Sequence, residues 1–162
     1  MLRLRNSLTT DAVTRSPLAL IIDDEPDVAT YLAAVLADHG WRVRVAHRAE
    51  EGLEKAREDL PDLVLLDVMM PERGGLSTLV AIRKDPRLEA VPVVLVTGMQ
   101  RHLTWRWEDM LHIARQFRPD AVIEKPVTPE HLLEEVRRVM QGRSDRSVGE
   151  AAPDGLAVVT EP

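Results

Sequence analysis

Four short apolar runs constrain this chain more than any other feature: Leu18–Ile22, Leu63–Leu66, Val91–Val96 and Ala121–Ile123. None alternates apolar with polar residues. Each is therefore apolar on both faces, as a parallel strand buried between two helix layers must be. Between the runs lie stretches with helical spacing. Val28, Tyr31, Leu32, Val35 and Leu36 recur at i, i+3, i+4, i+7 and i+8, and Leu132, Val136, Val139 and Met140 form a second stripe. Leu76, Leu79 and Val80 form a shorter one, and Leu53, Ala56 and Leu60 a weak one. A fifth run, Arg42–Val45, reads Arg-Val-Arg-Val. Its period of two leaves one face in water and places it at a sheet edge.

Strand centres recur about every 21 to 29 residues, the length of repeated strand–helix units. The fold class is α/β: a doubly wound sheet of five parallel strands with five helices. Right-handed crossovers and an edge second strand favour the order 2-1-3-4-5. In such a sheet, functional groups gather beyond the carboxyl ends of the strands, where the strand order reverses.

The chain has 162 residues, enough for one domain, and 44% of them are hydrophobic. Only Tyr31, Trp41, Trp105, Trp107 and Phe117 are aromatic, so the core is mostly aliphatic. There is no cysteine, which excludes disulfide scaffolds, thiolate metal sites and cysteine nucleophiles. The apolar runs are far too short to span a membrane, and Met1–Ser16 has no apolar signal region. The absence of a signal and of cysteine both point to the cytoplasm. The two ends carry +2 and −2, so the whole net charge of −6 lies in residues 17–140, which argues against nucleic acid as the main partner. Residues 1–16 read as a flexible arm, and residues 141–162, rich in Gly, Ser, Ala and Pro without a sustained period, as a disordered tail.

The apolar runs end in chemically active residues. Run one ends in Asp23-Asp24-Glu25, the second in Asp67, the third in Thr97-Gly98 and the fourth in Glu124-Lys125-Pro126. An Asp after a strand is commonly a helix cap, and a Lys before Pro is commonly solvated. Four strands delivering carboxylates, a hydroxyl and an ammonium to one sheet edge call for a shared explanation. Two carboxylates ~4 Å apart repel by about 4 kcal/mol at an effective dielectric near 20. Asp23, Asp24 and Asp67 would hold three such pairs, a load that a hard divalent cation such as magnesium relieves. With Lys125 and Thr97 added, these are parts for phosphoryl transfer, in which positioning and charge neutralisation dominate and a carboxylate can serve as nucleophile.

Taken together, the segments LIIDDEP, LLDVMMPERGG, VTG and EKP resemble the receiver domain of two-component response regulators, over residues 17–140. The resemblance implies a flavodoxin-like receiver fold with Asp67 as phospho-acceptor. It implies magnesium held by Asp24 and Asp67, with Asp23 nearby and the backbone carbonyl of Met69 as a main-chain ligand. Thr97 would hydrogen-bond the phosphoryl group and Lys125 would pair with the aspartate or its phosphate. Gly98 would leave room for the phosphoryl group, Pro71 and Gly75 would shape the loop after the third strand, and the Lys125–Pro126 bond would be cis. The phosphoryl donor would be a sensor histidine kinase or a histidine phosphotransfer domain. The chain then reads as a single-domain regulator whose output is a phosphorylation-dependent surface for an unknown downstream protein, and not as an enzyme. The alternative is a pseudo-receiver, a scaffold that binds its partner without phosphorylation.

Three features depart from the family pattern. Val122 stands where an aromatic switch residue is usual. The segment from Thr97 to Lys125 is longer than is typical, and its helical stripe of Leu103, Trp107, Met110, Leu111 and Ala114, with Trp105 off the stripe, reads as an extended helix or as a partner or homodimer surface. Met69 and Met99 stand at positions whose side chains, the resemblance implies, would border the path of the hydrolytic water, which thioethers orient poorly. The histidines at 39, 47, 102, 112 and 131 have no ligand spacing and read as surface or cap residues.

Overall fold

The computed structural model describes residues 15–71, 74–98, 112 and 115–149, with side chains described as far as residue 143. The strands are β1 (Leu18–Ile22), β2 (Arg42–Ala46), β3 (Leu63–Asp67), β4 (Val93–Thr97) and β5 (Ala121–Glu124). They pair in parallel as β2-β1-β3-β4-β5, the order expected. The helices are α1 (Pro26–Ala37), α2 (Ala49–Glu58), α3 (Gly75–Lys84) and a C-terminal helix, Pro129–Gly149.

Side chains alternate between the two faces of the sheet. Leu20, Ile22, Val64, Leu66, Val93 and Leu95 pack on one face with Leu53 of α2 and Leu79 and Ile82 of α3. Ala19, Ile21, Leu63, Leu65, Val94 and Val96 pack on the other with Leu32 and Leu36 of α1 and Leu132 and Val136 of the C-terminal helix. Between α1 and β2 the chain turns back through Gly40, whose φ of 85° favours glycine. There Trp41 N–H donates to the Leu36 carbonyl.

The structure corrects several expectations. The helix at the C-terminus continues past residue 140 to Gly149, so residues 141–149 are not a disordered tail. The sequence of those last turns, QGRSDRSVG, carries no apolar stripe from which a helix could be read. Residues 1–14 and 150–162 lie outside the described residues. Ala121–Ile123 is not buried on both faces. Val122 is 49% exposed, because β5 is an edge strand with a buried-exposed alternation. Tyr31 leaves its stripe and donates its hydroxyl hydrogen to the Val127 carbonyl at 2.9 Å, and Leu60 lies beyond the end of α2 and is exposed. Of the helix expected between β4 and β5, His112 and Arg115–Phe117 are helical. The stripe from Leu103 to Ala114, with Trp105 and Trp107, falls outside the described residues.

At the sheet edge away from the acidic residues, Arg83 at the end of α3 joins three segments. It donates to the carbonyls of Glu89, Val91 and Arg118 and to Asp120 Oδ2, which also accepts the Val93 N–H.

Candidate functional site

Strand register assembles the site. Ile22 pairs with Leu66, so Asp23 and Asp67 emerge side by side where β1 and β3 end. Asp67 pairs with Val96, and Thr97 with Glu124, so Thr97 and Lys125 follow on the two strands beyond. Lys125 N–H donates to the Thr97 carbonyl at 2.8 Å. Four strand ends thus deliver their polar residues to one edge of the sheet.

Asp67 is 2% exposed. Met69 N–H donates to its Oδ1 at 3.1 Å, a tight turn that aims the carboxylate. Behind it the start of α3 comes unusually close. A Cβ added at Gly75 would stand 2.0 Å from the Asp67 carbonyl oxygen and 2.7 Å from Val68 Cα, both immovable backbone. The expected shaping role of Gly75 is therefore a steric requirement. Burial pushes the Asp67 carboxyl up. The Met69 N–H pulls it back, the charge of Asp23 raises it, Lys125 lowers it and the Asp24 carboxyl beside it raises it again. The outcome is a pKa of about 6.

Lys125 Nζ lies 3.1 Å from Asp23 Oδ2, 3.1 Å from Glu25 Oε1 and 3.7 Å from Asp67 Oδ1. Burial works against its charge. The attraction of Asp67 and the contacts with Glu25 and Asp23 outweigh that and hold its pKa above the ordinary lysine value. Asp23 is buried, and its Oδ1 also accepts the Glu25 N–H at 2.9 Å. The Lys125–Pro126 bond is cis, as the resemblance implies. At Gly98 an added Cβ would meet only the Lys125 stem, at 3.6 Å, an ordinary contact.

Among the described residues, two buried side-chain oxygens lack a hydrogen-bond partner: Asp24 Oδ1 and Thr97 Oγ1. Such atoms are costly in a folded protein and call for a ligand or an ion. Asp23, Glu25 and Asp67 also place carboxylate oxygens within 4.8 Å of one another. Oxygen-only donors crowded around one point suit a hard divalent cation, so the residues present fit magnesium. Glu25, at the N-cap position of α1, belongs to this cluster and pairs with Lys125. The run Asp23-Asp24-Glu25 is the sequence signal for the cluster. Met99, Trp105 and Trp107 lie outside the described residues.

The model of the response regulator receiver domain family matches residues 19–137. This chain belongs to that family. It is 34% identical over 123 residues to the Pseudomonas aeruginosa protein PilH, covering 76% of this chain and 97% of that protein. It is 36% identical over 118 residues to the transcriptional regulatory protein DltR of Streptococcus agalactiae, covering 73% of this chain but only 49% of DltR. A CheY-like receiver domain protein from Methanospirillum hungatei superposes with a TM-score of 0.72 at 25% identity, covering 82% of this chain and 99% of that one. Among the described residues of this receiver domain, no helix is long and apolar enough to cross a membrane.

Proposed function

We propose that this receiver domain takes a phosphoryl group from a phosphohistidine onto Asp67 and signals through the surface change that follows. The observation that carries the reading is the convergence of Asp23, Glu25, Asp67 and Lys125 on one point, beside two buried oxygens without partners. Despite its raised pKa, Asp67 is mostly ionised at neutral pH and can act as nucleophile. One of its oxygens attacks phosphorus, the phosphorus–nitrogen bond of the donor breaks, and the leaving imidazole takes up a proton. Asp24 and Asp67, with Asp23 close by and the Met69 carbonyl, would hold magnesium, which when bound neutralises the charge gathering on the phosphoryl oxygens. Lys125 supplies a second positive charge, and Thr97 Oγ1 offers an unused hydroxyl donor.

Phosphorylation adds about −1.5 to −2 charge and three acceptor oxygens. Lys125, now shared among carboxylates, gains a stronger partner, and the Thr97 hydroxyl gains an acceptor. Their shift is the start of the output, received by a downstream protein. The sensor histidine kinase or histidine phosphotransfer domain that donates is the upstream partner.

The test is direct. The protein is incubated with magnesium and acetyl phosphate and then weighed. One phosphate adduct, absent in Asp67→Asn and absent in excess chelator, supports the reading. No adduct with any donor favours a scaffold that binds without phosphorylation.

A further inference from the structure

We infer that His47 is a positioning residue for the acidic cluster, holding the peptide between Asp23 and Asp24 so that both carboxylates face the cation site. The inference rests on the phospho-acceptor reading above and extends it to a residue that touches neither metal nor phosphate.

The His47 ring Nδ1 lies 3.0 Å from the Asp23 carbonyl oxygen, a part-buried contact across 24 residues. A carbonyl only accepts, so Nδ1 carries the proton. The carbonyl of Asp23 and the N–H of Asp24 share one rigid peptide plane. Fixing that oxygen therefore fixes how the chain leaves Asp23 and how Asp24 begins. The plane before it is held too, because Asp23 N–H donates to the Ala46 carbonyl at 3.0 Å. Both planes flanking the Asp23 Cα are thus pinned from the end of β2, by Ala46 on one side and His47 on the other.

The anchor is itself anchored. His47 N–H donates to Glu51 Oε2 at 3.2 Å, and Lys55 Nζ reaches both Glu51 Oε1 and the Val45 carbonyl at 2.5 Å. The hydrogen bond from Lys55 holds the Glu51 carboxyl below the usual carboxylate range. His47 is therefore tied to the first turns of α2 rather than hanging from a loose loop. Outer partners of this kind orient ligands and tune metal affinity without touching the ion. His47 also lines a cavity of about 310 Å³ with Met70 and Pro71, so a test must separate lost packing from a lost hydrogen bond.

Three substitutions make that separation in the full chain: His47→Ala, His47→Phe and His47→Asn. Phe keeps a ring in the space but donates nothing; the Asn amide can replace the Nδ1 donor. Magnesium affinity is measured by calorimetric titration without any phosphodonor, and phosphorylation by acetyl phosphate is measured at saturating magnesium. His47→Ala and His47→Phe are expected to weaken magnesium about five-fold, the usual net effect of one hydrogen bond. His47→Asn is expected to stay within about two-fold of the parent, and all three to phosphorylate at nearly the parental rate once magnesium saturates. Parental magnesium affinity in His47→Phe, or affinity in His47→Asn as weak as in His47→Ala, overturns the positioning role and leaves the acceptor reading standing. Failure of the unsubstituted protein to bind magnesium at all overturns both.

Discussion

Lys125 Nζ stands 3.7 Å from Asp67 Oδ1, beyond a normal hydrogen bond, while it lies 3.1 Å from both Asp23 and Glu25. The ammonium is held beside the acceptor by its neighbours and not by the acceptor itself. Removing its charge leaves Asp23 and Asp67 buried without their cation. Lys125→Met should therefore destabilise the metal-free protein at neutral pH by about 3 kcal/mol, the cost of breaking a largely buried ion pair. The loss should shrink as Asp67, whose pKa is about 6, protonates in acid. Urea melts at pH 7 and pH 4 in chelator check this, and an equal loss at both values would mean that Lys125 contributes only packing.

The raised pKa of Asp67, about 6 against an ordinary 3.8, makes its ionisation unfavourable in the fold. The folded state binds the extra proton between those values, so this group's contribution falls as pH rises from 3.8 to about 6 and stays unfavourable above that. Asp67→Asn removes the penalty. In metal-free buffer it should stabilise the protein at pH 7, by about 3 kcal/mol at most, and give no gain below pH ~3.5. Melting temperatures across that range decide the matter, and a variant less stable than the parent at pH 7 refutes it.

Gly75 and Gly98 both border the site, yet an alanine at each should behave differently. At Gly75 the new Cβ would meet the Asp67 carbonyl at 2.0 Å, while at Gly98 it would touch only the Lys125 stem at 3.6 Å. Gly75→Ala should cost about 2 kcal/mol or more through forced backbone movement and slow phosphorylation of Asp67. Gly98→Ala should cost less than about 1 kcal/mol. Denaturant midpoints and acetyl phosphate labelling report both, and equal effects at the two sites would contradict the close approach.

Arg83 acts on stability alone. Its guanidinium serves three carbonyls and Asp120 at the sheet edge away from the acceptor. Arg83→Ala leaves Asp120 without this partner and should cost about 3 kcal/mol. Magnesium affinity at temperatures where the variant is folded should not change. A change in affinity would show that the two edges of the sheet are coupled.

The apolar runs made the sheet legible, because strands buried on both faces leave a pattern that few other structures share. The residues at their ends followed, since parallel strands all finish at one edge and register then sets Asp23 beside Asp67 and Thr97 beside Lys125. The contributions of His47 and Arg83, and the pairing of Glu25 with Lys125, were not legible. Each depends on a partner 24 to 100 residues away, and nothing in the local sequence distinguishes such a residue from a solvated one. The exposure of Val122 was hidden for a different reason: a four-residue edge strand is too short to display its alternation before Glu124 ends it. The extension of the C-terminal helix to Gly149 was not legible, because its last turns carry no apolar stripe for periodicity to detect.

The last prediction concerns how long the phosphoryl group persists. Met69 is tied by its N–H to Asp67 Oδ1, yet the residue is 42% exposed beside the acceptor. A water attacking the acyl phosphate from that side would meet a thioether, a weak acceptor with no proton to donate, and would be poorly oriented. Loss of phosphate from the purified protein should therefore be slow, with a half-life of minutes or longer. Met69→Asn adds an amide that can hold such a water and should shorten the half-life several-fold, while leaving the Met69 backbone and the turn it makes with Asp67 in place. Following the phosphorylated mass over time, after removal of acetyl phosphate, measures both. A parental half-life of seconds, or no change in Met69→Asn, would mean that water reaches the phosphoryl group without help from this side chain.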